Sequence, residues 1–91
     1  MYIMSAKLTF HIPHATSLKD KRQVRRSLID KVRNHHFNVS IAEVDTQDVH
    51  RILTIGIALV SGEAAHAKEM LEEVVRYMEE HAMAELVEVE E

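Results

Sequence analysis

Leu53-Thr54-Ile55-Gly56-Ile57-Ala58-Leu59-Val60 is followed by Ser61-Gly62, and there the hydrophobic period changes. Leu53, Ile55, Ile57 and Leu59 alternate with Thr54, Gly56, Ala58 and Val60, the period of two expected of a half-buried strand. Beyond the Ser-Gly break, Ala67, Met70, Leu71, Val74, Val75 and Met78 recur at helical spacing, so a strand feeds directly into an amphipathic helix. Upstream, Phe37, Val39 and Ile41 alternate with Asn38, Ser40 and Ala42, giving another strand, and Asp45-Thr46-Gln47-Asp48 reads as the turn between the two. Downstream, Leu86-Val87-Glu88-Val89-Glu90 reads as a short final strand whose acidic residues protect an exposed sheet edge.

The N-terminal third repeats the strand–helix step. Met4, Ala6, Leu8, Phe10 and Ile12 alternate with Ser5, Lys7, Thr9 and His11, and Pro13, lacking a ladder donor, stops that strand. Ser17-Leu18-Lys19-Asp20 resembles a capping box, and Val24, Leu28 and Val32 continue it as one apolar stripe up to Asn34-His35-His36. The order is β-α-β-β-α-β over residues 1–91, one domain. It predicts an α+β fold, a ferredoxin-like sandwich with two helices on one face of a four-stranded antiparallel sheet. Leu8, Phe10, Val39, Ile41, Leu53, Ile55 and Ile57 take the inward face. Ser5, Lys7, Thr9, Asn38, Ser40, Ala42, Thr54, Gly56 and Ala58 leave the outer face flat and accessible.

Composition narrows the chemistry. Of 91 residues 46% are hydrophobic and 29% charged, a globular balance, and the absence of cysteine excludes disulfides, thiolate catalysis and cysteine-based metal centres. The longest apolar-rich run, Ile52–Val60, is too short for a membrane helix and the first residues do not read as a signal peptide, so a cytoplasmic protein is expected. Gly56 and Gly62 are too far apart for a phosphate-cradling loop, and no Gly-x-Ser-x-Gly nucleophile pattern occurs. His11/His14 and His35/His36 are the close histidine pairs, neither at a metal-ligand spacing. Glu43, Asp45 and Asp48 near His50 could form an acid/base or magnesium site, though a polar hairpin explains them as well. No catalytic residue, metal or cofactor is expected.

The net charge of −4 conceals a division: the 9 Lys+Arg and 5 Asp+Glu of residues 1–61 become 2 and 10 in residues 62–91. Seven of the eleven basic residues lie between Lys19 and Arg33. At about 100° per residue, Lys19, Arg22, Arg26 and Arg33 share an arc of about 60° along the first helix. Lys21 and Arg25 lie nearer the apolar side, from where they could snorkel outward. Cations in line on one rigid element suit phosphate contact; a solvated helix face, with or without glutamates of the second helix as partners, is the alternative. The outer sheet face lacks the aromatics on which RNA-recognition modules stack bases, and its small residues suit packing against a second sheet in a homodimer.

Ser17-Leu18-Lys19-Asp20-Lys21-Arg22, Ser27-Leu28 and Phe37-Asn38-Val39-Ser40-Ile41-Ala42-Glu43-Val44 together resemble the YlxP-like family of small bacterial proteins, a domain of unknown function. The resemblance extends from His11-Ile12-Pro13 through Gly56-Ile57-Ala58 to the second helix. It implies a ferredoxin-like fold and no established enzyme activity. Because genes of that family tend to lie beside those for translation initiation factor two and a ribosome-binding factor, it also implies a role in translation or ribosome assembly. The family-like basic positions are Lys19, Lys21, Arg22 and Arg33; Arg25 stands where relatives carry an aliphatic residue, and His50 where a larger aromatic is common. The expectation is a non-enzymatic accessory protein that binds ribosomal RNA or a ribosomal subunit through Lys19, Lys21, Arg22, Arg25, Arg26 and Arg33. A homodimeric interaction module using the open sheet face is the alternative.

Overall fold

The computed structural model describes residues 1–91 as β1 (Tyr2–His11), α1 (Leu18–Asn34), β2 (Ser40–Glu43), β3 (Ile52–Ser61), α2 (Ala64–His81) and β4 (Glu85–Glu90). The strands form one sheet in the order β2-β3-β1-β4, every neighbouring pair antiparallel. This is the ferredoxin-like sandwich expected from the element order. β1 and β3 are its spine, paired from Tyr2↔Ser61 to His11↔Ile52. β4 pairs only with Lys7–His11 of β1, and its register shifts between Thr9 and Phe10, leaving Val87 as the extra residue of a bulge.

The alternation of the strands becomes burial. Ala6, Leu8, Phe10, Leu53, Ile55, Ile57 and Leu59 are buried beneath Val24, Leu28 and Val32 of α1 and Ala67, Leu71, Val74 and Met78 of α2. Removing each large apolar side chain from water contributes about 1.5–3 kcal/mol. Both helices lie on this side, and no element of the chain covers the other.

One strand differs from its expected extent. The alternation Phe37–Ala42 suggests pairing from Phe37, yet β2 begins at Ser40. His36 has φ 63, a left-handed turn that reverses the chain after α1, and the Val39 N–H donates to the Phe37 carbonyl at 3.0 Å. That local bond keeps the backbone out of the ladder, while Phe37, Val39 and Ile41 still pack half-buried against the core.

The start of α1 bears out the capping signal with a variation. Ser17 is the N-cap, and its hydroxyl accepts from the Asp20 N–H at 3.2 Å. The Asp20 carboxylate reaches one residue further back than in a standard box, accepting from the Thr16 N–H at 2.9 Å and the Thr16 hydroxyl at 2.8 Å. These bonds, the backbone one first, hold the Asp20 carboxyl below its ordinary range. A depressed folded-state pKa contributes stability in full above the ordinary carboxylate range, and loses it as pH falls through the depressed value. Asp20→Asn is therefore expected to flatten the acid limb of stability, read as urea midpoints across a pH series. Ser17→Ala is expected to cost about 1 kcal/mol at neutral pH by the same measurement.

Candidate nucleic-acid interface

Six of the seven cations of α1 fall into two sets. Lys19, Arg22, Arg26 and Arg33 are all exposed, on the arc facing away from the core. No carboxylate forms an ion pair with any of the four; the chain's salt bridges are those of Lys7, Lys21 and Arg25. Asp20, the acid of the first turn, is held by Thr16. The glutamates of α2 form no ion pair with the stripe, which is a solvated face in the free chain. Arg33 lies in the last turn, where the negative end of the helix dipole favours a cation.

In the second set Arg25 stays half-buried, and Lys21 does not snorkel. Lys21 is buried, with 1% of its surface exposed, and its ammonium turns inward. It donates to the Thr46 carbonyl and, at 2.7 Å, to the Val49 carbonyl, and lies 2.6 Å from Glu43 Oε2. The last contact lies off the direction a hydrogen bond requires and is a Coulombic one. Arg25 Nη1 reaches the other carboxylate oxygen, Glu43 Oε1, at 2.8 Å. The Glu43 side chain is 4% exposed. Lys21 and Arg25 therefore tie α1 to the end of β2 and to the hairpin loop; the Lys21 ammonium does not face an outside ligand, and the half-buried Arg25 is committed to Glu43. Of the six cations expected from the sequence to meet phosphate, four stand exposed and unpaired, Arg25 is half-buried and paired, and Lys21 is buried. The correction has a simple cause. At about 100° per residue Lys21 points between Leu28 and Val32, the middle of the buried stripe, and a buried carboxylate opposite it makes an inward ammonium tolerable.

A family model described as "Protein of unknown function (DUF503)" matches residues 3–91. The chain belongs to the DUF503 family. "Uncharacterized protein YlxP" of Bacillus subtilis (strain 168) is 37% identical to it over 65 residues, 71% of this chain and 70% of the relative. Among solved structures, the de novo designed protein LFR1 1 with ferredoxin fold aligns with a TM-score of 0.59 at 16% identity, covering 96% of this chain and 82% of the designed one. At that identity the likeness concerns the fold alone.

Elsewhere in this DUF503 domain the hairpin carboxylates separate. Glu43 points into the helix layer, whereas Asp45, in a left-handed conformation at φ 64, accepts from Lys7 Nζ at 2.8 Å on the outer sheet face. They do not converge on one metal or one reacting atom. The Lys7 ammonium is raised above its ordinary pKa, chiefly by the hydrogen bond to Asp45. His35 joins a ring cluster that sequence reading did not assemble: its ring centroid lies 4.5 Å from those of Phe37 and Tyr77, and His81 stacks on Tyr77 at 3.9 Å. The Tyr77 hydroxyl donates to the Lys31 carbonyl at 3.3 Å, and Lys31 Nζ donates to the His81 carbonyl at 3.0 Å. The cluster joins the C-terminal ends of the two helices. The Tyr77/His81 spacing of four residues on a helix was its only trace in the sequence. No helix is long and apolar enough to cross a membrane.

Proposed function

We propose that this domain is a non-enzymatic module that docks α1 on the phosphate backbone of a structured RNA, within the ribosome or one of its precursors. The observation that carries the reading is the line of Lys19, Arg22, Arg26 and Arg33, exposed and free of carboxylate partners on a helix whose Lys21 and Arg25 are paired with Glu43. The inner pairs support it by fixing the helix to the hairpin, so that the outer cations ride on a rigid element. Contacts of this type orient a protein on RNA without reading its sequence. The outer sheet face offers small residues and Lys7 in place of stacking aromatics, which favours backbone recognition over base recognition. The direction towards translation comes from the family resemblance in the sequence.

Co-sedimentation with purified ribosomal subunits tests this. Pelleting with one subunit at about 50 mM salt, weakened by about 50–150-fold in affinity at about 200 mM, is expected for four phosphate contacts. The absence of pelleting at every salt concentration would remove the proposal.

A further inference from the structure

The face of the sheet opposite the helices carries two shallow hollows, one rimmed by the exposed apolar side chains of Met1, Ile3 and Val60, which form its knob. Ile3 and Val60 are direct cross-strand partners on this face, exposed by 70% and 51% although both are large and apolar. Four residues along the same strands, the register places Ala42 beside Gly56 and Gly56 beside Lys7. There the surface sinks into a shallow hollow of about 430 Å³ walled by Val44, Lys7 and Asp45. The small residues Ser40, Ala58 and Ser5 form the row next to the knob and line this hollow.

We infer that this face is an isologous interface with a second copy of the chain, the knob of each entering the hollow of the other. A two-fold axis along the Ser5–Ala58 row exchanges the Ile3/Val60 row with the Lys7/Gly56 row. Val60 of one copy then lies over Gly56 of its partner, and the small residues of the middle row meet across the axis. Aligned packing of two sheets at about 10 Å needs such interdigitation.

Charge favours a copy of the chain over an anionic partner. Lys7, the cation of the face, is held by Asp45 at 2.8 Å with Glu90 at 4.0 Å, so it has no charge to offer outside. The same axis carries the acidic β4 edges, with Glu88 and Glu90 opposite Thr9 and Lys7, to opposite ends of the interface and away from each other. The axis sets the extent of overlap: with Tyr2 three residues from the Ser5 row, the two sheets cover each other over about 20 Å of strand. In the dimer the helices form the two outer layers, and the α1 stripes face outward about 30 Å apart. That bivalency rests on the phosphate-docking reading; the dimer does not.

The test is the mass in solution, without RNA. Sedimentation equilibrium over a concentration series should give twice the 10.5 kDa of the chain, and Ala58→Arg, at the axis, should give monomers with an unchanged far-UV spectrum. Ser5→Arg should do the same from the neighbouring strand. Because the chain has no cysteine, Ser5→Cys provides a unique handle. A bismaleimide with a span of about 10 Å should link two copies through residue 5, and should fail with Arg22→Cys on the helix layer. A wild-type monomer at every concentration overturns the inference, as does a dimer unaffected by both arginines or one linked equally well through residue 22. RNA binding by the monomeric variants then reports separately on the helix.

Discussion

Lys21→Met is expected to destabilise the domain by about 3 kcal/mol, a fall of roughly 12–24 °C in Tm for a domain of this size. The substitution preserves bulk in the buried stripe and removes only the ammonium. Two consequences follow. The Glu43 side chain, 4% exposed, loses the cation at its Oε2 and keeps only Arg25 at Oε1. The Val49 carbonyl loses its Lys21 donor, while the Thr46 carbonyl keeps the Val49 N–H at 3.1 Å, and a buried polar group left unpaired costs about 1–3 kcal/mol. Arg25 survives as a partial partner, which places the estimate at the low end of what breaking a buried pair costs. Lys21→Met combined with Glu43→Leu should recover part of the loss, because the uncompensated carboxylate is gone as well. Urea unfolding of the single and double variants measures both. A single variant within about 0.5 kcal/mol of wild type would show that the cluster does not hold the hairpin to α1.

This cluster marks where sequence reading stops. The strands and helices were legible because each declares itself over a few neighbouring residues: Leu53–Val60 by alternation, Val24, Leu28 and Val32 by turns of the helix. Lys21 and Glu43 were also in phase with their elements, Lys21 with the α1 stripe and Glu43 with Ile41 on the inward side of β2. Each alone reads as a polar residue that will find its way to solvent. Only packing α1 against β2 brings them within 2.6 Å across 22 residues of sequence, and no period encodes that meeting. The outer cations were legible for the opposite reason. Their exposure depends on the phase of one helix, although their freedom from the α2 glutamates is again a tertiary fact. The shortened β2 has a related cause. The left-handed turn at His36 and the Phe37–Val39 bond take up residues whose alternation alone reads as strand.

The division of α1 into paired and unpaired cations also orders the chemistry. A stripe can meet phosphates at low entropic cost only if its helix does not shift on binding. Lys21 and Arg25 fix the N-terminal half of α1 to Glu43, and Lys31 with Tyr77 fixes its C-terminal end to α2. The exposed set is thereby held between two anchors. Changes to the anchors should act on stability, and changes to the stripe on binding.

Arg22→Glu combined with Arg26→Glu is expected to reduce affinity for ribosomal RNA by more than about 100-fold at low salt while leaving the fold intact. Both side chains are exposed and carry no ion pair, so their effect on stability should stay within about 0.5 kcal/mol. Each lost charged contact removes about 1.5–3 kcal/mol of binding, and the introduced glutamates add repulsion from the phosphates. The salt dependence is the sharper reading. Four contacts give a slope of log K against log salt of about −3, and two give about −1.5. Arg25→Gln is the informative companion, because its guanidinium is committed to Glu43 at 2.8 Å. It should lower the urea midpoint and leave the slope near −3. A charge-reversed variant that kept the wild-type slope would reduce the stripe to a solvated helix face. A slope lowered equally by Arg25→Gln would mean that α1 releases Glu43 when it binds, making the anchor part of the interface.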